Sequence, residues 1–247
     1  MKFVKMEGLG NDFIVVTGNQ SPDTALVQRV CDRRRGVGAD GVLLITDDSG
    51  QVTMHYWNAD GSMAEMCGNG LRCVARFAFD EGMADGPKFT VMTAIGPRQV
   101  EAGEVPRVEL GPTSVGERFA HSGLDFTRAS VGNPHAVHID GDPATQPVST
   151  VGPALERDTP GGINVEFAQV MGRGELTLRV WERGVGETAA CGTGMAAAAA
   201  VARAAGMIGD HVEVVVPGGR GAVDLIEDVA WLTGPANYVF WGEWKDA

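Results

Sequence analysis

The chain repeats itself at an offset of about half its length. Its 247 residues carry Met54-His55-Tyr56-Trp57 at the end of one alternating segment and Leu178-Arg179-Val180-Trp181 at the end of another. Ten residues after each tryptophan stands a cysteine, Cys67 in MCGNG and Cys191 in ACGTG. Earlier, Gly10-Asn11-Asp12-Phe13 has a counterpart in Gly132-Asn133-Pro134-His135. Single glycine turns match by chance, but shared spacing does not. A duplicated chain has to fold as two similar halves, each with an Asn-bearing turn, a Trp-ended strand and a Cys-Gly-x-Gly turn. Its length suffices for two small cores.

The pattern within each half is mostly strand. Alternating or apolar runs bounded by Gly, Pro or Asp predict strands at 13–17, 42–46, 52–57, 89–93, 135–139, 163–170, 176–181, 212–216 and 238–241. Three helices are expected. One starts at Ser21-Pro22-Asp23, with an N-cap and a proline at its first position, carries Leu26, Val27, Val30 and Cys31 on one stripe, and stops at Gly36. The second spans Leu71 to Phe79, and the third is the alanine-rich stretch from Met195 to Ala205. Many strands with a helix in each half predict an α+β duplicated fold rather than a parallel βαβ one. Gly36-Val37-Gly38-Ala39-Asp40-Gly41 fits G-x-G-x-x-G, but a helix precedes it and a strand follows. That order is the reverse of a dinucleotide site, so a connecting turn is the better reading.

Composition narrows the function. With 32 acidic against 20 basic residues the net charge is -12, which disfavours nucleic acid. The longest apolar run, Met195–Ala202, falls well short of the roughly 20 residues a membrane span needs. No secretory pattern opens the sequence, so a cytoplasmic location is expected. Four cysteines are too few for a disulfide scaffold, and none has zinc-like spacing. Only Lys2, Lys5, Lys88 and Lys245 could form a Schiff base, and none sits in a Gly-rich loop. Neither cofactor nor metal is expected.

Each of Cys67 and Cys191 precedes Gly-x-Gly and a helix. Free N–H groups at a helix N-terminus bind anions such as a substrate carboxylate, and the same dipole is expected to lower the cysteine pKa. If the two halves face each other, both thiols enter one cleft. Two acid/base groups flanking one carbon suit inversion of a stereocentre: one removes a proton while the other returns one. The helix N-termini would stabilise the charge developing on the substrate. Thiols so close would also be oxidised readily to a disulfide. Cys31 and Cys73 are assigned to packing.

Taken together, GLGNDF (8–13), WNADGS (57–62), MCGNGLRC (66–73), GNPHAV (132–137), ERGVGET (182–188) and ACGTG (190–194) resemble the diaminopimelate epimerase family, over essentially the whole chain. The resemblance implies two alike domains, each a mixed, barrel-like sheet around a central helix. Residues 1–115 would form the Cys67 domain and 116–235 the Cys191 domain, with about 236–247 returning to the first. It implies cofactor-free interconversion of LL- and meso-diaminopimelate on the route to lysine and peptidoglycan. Carried over by position, Cys67 and Cys191 are the acid/base pair, and His135 and Glu182 support their proton transfers. Gly68, Asn69, Gly192 and Thr193 would hold the reacting carboxylate. Asn11, Asn58, Asn133, Asn164 and Arg183 would bind substrate, with Asn58, Asn164 and Arg183 towards the distal end. Expected partners are a small amino-acid substrate and a second copy of the chain in a homodimer, without nucleic acid or membrane.

Two departures stand out. Gly41 occupies a position where many relatives carry glutamine, and the chain is short for the family, which suggests trimmed loops such as 144–160. His55, His121, His138 and His211 match no motif. Rival readings are a proline racemase or hydroxyproline epimerase, a phenazine-biosynthesis-like isomerase and, from another class, a non-catalytic amino-acid-binding module.

Overall fold

The computed structural model describes residues 1–48 and 50–245, and the chain separates into two compact units. The first comprises Met1–Val108 with Gly234–Ala247, the second Glu109–Thr233. Residues 246 and 247, the end of the segment expected to return, lie outside the described residues.

The first unit contains β1 (Lys2–Gly8), β2 (Asn11–Thr17), α1 (Thr24–Cys31), β3 (Gly41–Asp48), β4 (Gln51–Asn58), β5 (Met63–Ala64), α2 (Gly68–Asp80), β6 (Lys88–Thr93) and β7 (Gly96–Glu101). The unit boundary falls within β8 (Arg107–Pro112). The second unit contains β9 (Ser114–His121), β10 (Leu124–Ser130), β11 (Pro134–Ile139), α3 (Val148–Asp158), β12 (Asn164–Gly172), β13 (Glu175–Glu182) and β14 (Gly186–Thr188). It continues with α4 (Gly192–Ala204), β15 (His211–Val216), β16 (Gly219–Ile226) and β17 (Val229–Thr233), and the closing strand β18 (Asn237–Glu243) belongs to the first unit.

Strand pairing makes the duplication explicit. In the first unit β18, β1 and β2 pair antiparallel, β2 and β3 parallel, and β3 and β4 antiparallel. There β4 then takes β5 antiparallel and β6 parallel, and β6 and β7 pair antiparallel. In the second unit β9, β10 and β11 pair antiparallel, β11 and β12 parallel, and β12 and β13 antiparallel. Here β13 takes β14 antiparallel and β15 parallel, and β15, β16 and β17 follow antiparallel. The two orders are the same strand for strand. In the second unit the strand beside β10 comes directly before it, whereas in the first unit the chain's last strand fills that place.

Each sheet is covered on two sides. In the first unit α2 packs against β1, β2, β3, β4 and β7, and Val27, Val30 and Cys31 of α1 pack with Ile14, Val42, Leu44 and Trp57. In the second, α4 packs against β9 to β13 and α3 adds Val148, Val151 and Leu155 to Phe126, Val165 and Phe167. Strands covered on both faces read as continuous apolar runs, as β3 does from Gly41 to Ile45. An alanine-rich α4, buried from Met195 to Ala202, lets strands approach from all around it. The expected α+β architecture, a mixed sheet around a helix in each half, is present.

The local expectations need three corrections. Asp23, not Ser21, caps α1, accepting the Leu26 N–H at 2.7 Å, so Pro22 lies outside the helix. That helix ends at Cys31, because the Asp32 carboxylate accepts the N–H groups of Arg34 and Arg35 (2.7 and 2.8 Å) and turns the chain there. Residues 144–160, expected as a trimmed loop, hold α3. Gly152 and Pro153 interrupt its apolar pattern, and Gly152 is required where α3 crosses Trp181: a Cβ there would meet Trp181 Cγ at 2.5 Å. Among the described residues no helix is long and apolar enough to cross a membrane.

Candidate functional site

Cys67 and Cys191 are the N-cap residues of α2 and α4, both with extended backbone (φ −136° and −121°). The helices therefore begin at Gly68 and Gly192, earlier than the apolar pattern suggests, and the first-turn N–H groups lie beside each sulfur. Gly70 and Gly194 are closely packed at the third position, Gly194 the more tightly. A Cβ on Gly70 would meet Leu43 Cδ2 at 3.2 Å, and one on Gly194 would meet Glu166 Oε1 at 2.8 Å.

In the first unit the Cys67 thiol lies 3.5 Å from Asn11 Oδ1, to which it donates. Asn11 in turn donates through Nδ2 to Asp40 (2.5 Å). The β1–β2 turn that presents Asn11 has Leu9 and Gly10 both at positive φ (57° and 82°), the geometry of a tight two-residue hairpin. Lys5 and Arg33 pair with Asp12 at 2.6 and 2.7 Å. Burial alone would raise the Asp12 carboxyl, but hydrogen bonds from Arg33 and Lys5 outweigh it and hold the carboxyl at about 2. Behind the thiol, Arg72 of α2 is wholly buried, donates to Asn69 Oδ1 (3.0 Å) and Pro235 O (3.3 Å), and leaves its Nη2 without a hydrogen bond. Burial lowers its pKa, and the cysteines Cys73 and Cys67 favour its charge. Asn58 donates to Ser62 Oγ at 3.0 Å.

In the second unit Cys191 is buried, accepts the Gly194 N–H at 3.4 Å and lies 3.5 Å from Thr193 Oγ1. Asn133 Nδ2 donates to Thr193 Oγ1 (3.3 Å), and its Oδ1 faces His135 Nε2 at 3.0 Å. Glu182 accepts from Thr188 and from Cys191. The helix dipole was expected to lower both thiols; for Cys191 the balance goes the other way. Burial first, then the carboxylates of Glu182 and Glu166, push it well above its ordinary value, outweighing Thr193 and Gly194. Burial likewise raises Glu182. Cys191 therefore rests as a thiol. Cys31 and Cys73, assigned to packing, are buried and pushed up to about 11 and 12 by desolvation.

Asn164 and Arg183 are brought together. Asn164 Oδ1 accepts the Arg183 N–H and its Nδ2 donates to Pro134 O, both at 3.0 Å, while the Arg183 guanidinium donates to Gly161 O at 3.2 Å. Asn164 thus ties the Arg183 turn to the Asn133–His135 turn. At Gly41 a Cβ would meet Trp57 O at 2.3 Å, so the space a glutamine would need is filled by β4.

Three residues at these turns escaped sequence reasoning. Asp40 and Arg72 lie inside recognised motifs but were read as turn and helix filler. Glu166 left one trace, a charge at the centre of the apolar run Ile163–Val170, and it is wholly buried. Among the described residues no group of three or more His, Cys, Asp and Glu is placed to hold a metal ion.

Two solved structures share the fold. One is a PhzF-family phenazine biosynthesis protein from Bacillus anthracis (TM-score 0.79, 16% identity, covering 100% of this chain and 99% of that one). The other is a hydroxyproline epimerase from Agrobacterium vitis (TM-score 0.75, 17% identity, 98% and 90%). Sequence likeness is closer elsewhere. The chain is 41% identical to a diaminopimelate epimerase of Desulforudis audaxviator, covering 100% of both, and 40% identical to one of Xanthomonas campestris, covering 99% of this chain and 96% of that protein. The diaminopimelate epimerase family model matches residues 3–115 and again 127–239. With both halves matched, the chain belongs to the diaminopimelate epimerase family.

Proposed function

We propose that the protein interconverts LL- and meso-diaminopimelate without a cofactor, using Cys67 and Cys191 as a thiolate–thiol pair on opposite faces of the α-carbon. The observation that carries this reading is the repeated construction: in each unit a cysteine caps the helix held inside the sheet, beside first-turn N–H groups suited to a carboxylate. Cys191, held as thiol, gives its proton to the carbon; Cys67 takes one. The proton on the Cys191 sulfur is shared with Glu182, so the new thiolate meets Gly194 N–H, Thr193 and a carboxyl group in place of water. The backbone of Gly68 and Gly192 with Asn69 and Thr193 binds the reacting carboxylate, whose charge grows as the carbanion forms. Asn11 and Asn133 orient the reacting centre, and His135 supports the Cys191 turn. Asn58, Asn164 and Arg183 recognise the distal amino acid group.

Four free cysteines, two of them required reduced, fit a cytoplasmic enzyme. Exposed Val239, Phe240 and Trp241 on β18 fit a homodimer contact.

The deciding experiment is uptake of deuterium at the α-carbon of LL-diaminopimelate in D2O with formation of the meso isomer. A non-catalytic binding module would give neither. Charged hydrogen bonds are worth roughly 1.5–3 kcal/mol each. Lysine and proline, which lack the distal carboxylate, should therefore react about a hundredfold worse or less well still. Arg183→Leu should erase most of that preference; full discrimination in this variant would rule out the distal assignment.

A further inference from the structure

The second unit buries an ion-pair partner that the first unit does without. His135 Nδ1 lies 2.7 Å from Glu166 Oε1, both residues are 0% exposed, and Glu166 Oε2 has no hydrogen-bond partner among the described residues. Such a group costs stability unless something requires it. The first unit shows that the scaffold does not. In the parallel β11–β12 pair His135 is opposite Asn164, just as Phe13 is opposite Gly41 in β2–β3. Two residues further along, Glu166 stands where Leu43 stands. The glycines agree: Gly70 faces Leu43 and Gly194 faces Glu166. Phe13 and Leu43, both 0% exposed, fill with hydrocarbon the place that His135 and Glu166 fill with ionisable groups.

Hydrogen-bond direction says what the pair does. Asn133 spends its N–H on Thr193 Oγ1, so its Oδ1 accepts from His135 and Nε2 must carry a hydrogen. One further proton then lies between Nδ1 and Oε1, on the ring or on the carboxyl. Thr193 Oγ1 accepts from Asn133, so its own hydrogen is available to the Cys191 sulfur at 3.5 Å. From His135 Nε2 onward every donor points towards Cys191.

Resting on the epimerase reading, we infer that Glu166 is a positioning residue. By sharing one proton between its Oε1 and Nδ1 of His135, whichever of the two carries it, Glu166 keeps Nε2 protonated, and with it the donor direction of the His135–Asn133–Thr193 chain that ends on the Cys191 sulfur. Glu166 gives no proton to substrate. The chain stabilises the thiolate left when Cys191 protonates the carbon. Besides His135, the titratable groups that act on this place are Glu182 and Cys191 itself.

Glu166→Leu and Glu166→Gln test the inference. A leucine, copying Leu43, leaves His135 Nδ1 buried without its partner, so Glu166→Leu should melt below wild type, whereas His135→Phe/Glu166→Leu, which replaces both groups by hydrocarbon, should melt no lower. Glu166→Leu should lower kcat on LL-diaminopimelate about 10–100-fold, the usual effect of removing a histidine's orienting partner, with KM little changed. The pH midpoint for Cys191 modification by methyl methanethiosulfonate, read by peptide mass spectrometry, should move up as the thiolate loses its donor. Glutamine can donate an amide N–H to Nδ1 and keep the tautomer, so its kcat should lie between the two. Wild-type kcat and midpoint in Glu166→Leu, or a glutamine variant as damaged as the leucine one, would overturn the inference. Should Glu166→Leu fail to fold, the His135→Phe/Glu166→Leu protein, which copies both first-unit residues, takes its place, and an unshifted midpoint there is equally fatal. Because the modification assay needs no substrate, a wild-type protein inert on diaminopimelate would sink the functional reading alone.

Discussion

The two cysteine turns share a backbone and differ in charge. Each cysteine caps a helix wrapped by the same order of strands, yet four equivalent positions carry different side chains. Where the first unit has Phe13, Leu43, Asn58 and Arg72, the second has His135, Glu166, Glu182 and Ala196. Around Cys67 stand a wholly buried guanidinium and the Asn11 carbonyl; around Cys191 stand two carboxylates and a histidine. Duplication supplies two helix ends alike in backbone, and the side chains that diverged give the two sulfurs different electrostatic surroundings.

The largest effect should come from removing either sulfur. Cys67→Ala and Cys191→Ala should each abolish epimerisation, a loss of about 10³-fold or more, while the fold persists. Cys31→Ala and Cys73→Ala should keep most activity. The single-thiol proteins also sharpen the contrast. Each keeps a base on one face only, so each should exchange the α-hydrogen of at most one stereoisomer, and not the same one. Near wild-type epimerisation by Cys191→Ala would end the two-base reading.

Arg72 comes next. No carboxylate among the described residues forms an ion pair with it, and Gly8 and Gly234 leave room for its head group. Arg72→Met keeps the volume and removes a desolvated charge, so melting temperature should hold or rise. If the guanidinium favours negative charge at Cys67, kcat/KM should fall about tenfold or more, with an upward shift of the pH at which Cys67 is alkylated. An unchanged alkylation profile would assign Arg72 to packing and leave the charge difference resting on the second unit alone.

What the sequence disclosed of this contrast was its symmetric part. The repeat was legible because tryptophans, cysteines and glycines answer to backbone geometry: Gly194 faces a side chain too close for a Cβ, Gly70 is packed tightly on Leu43, and the cysteines take extended caps. β9, with Val115 to Arg118 exposed, and the polar β7 have no apolar alternation to reveal them, because pairing rather than burial defines them. The asymmetric part was hidden for a different reason. The burial of Glu166 in β12 and of Arg72 in α2 is set by elements distant in sequence, and no local pattern reports it. The expected lowering of Cys191 failed on the same ground. A helix N-terminus and the Glu182 of ERGVGET are visible in motifs; the burial that lets Glu182 and Glu166, which no motif holds, outweigh the dipole is not.

The smallest effect separates the two units by the direction in which they titrate. Asp12, in the first unit, is held at about 2 against an ordinary 3.8, so its ionised form is favoured by folding. The stability it contributes is complete above 3.8 and disappears as pH falls through about 2. Allowing for solvent screening, that is about 1–2 kcal/mol, or a few degrees in melting temperature. Glu182, in the second unit, is raised above 4.5 by burial, so folding favours its protonated form. What it contributes is present below 4.5 and lost as pH climbs through the raised value. Asp12→Asn should flatten the acid limb of melting temperature against pH, whereas Glu182→Gln should flatten the limb above pH 4.5 and leave the acid limb intact. Thermal unfolding of the two variants from pH 2 to 8 checks this. If both flattened the same limb, the opposite electrostatics of the two turns would be wrong at its simplest point, the sign.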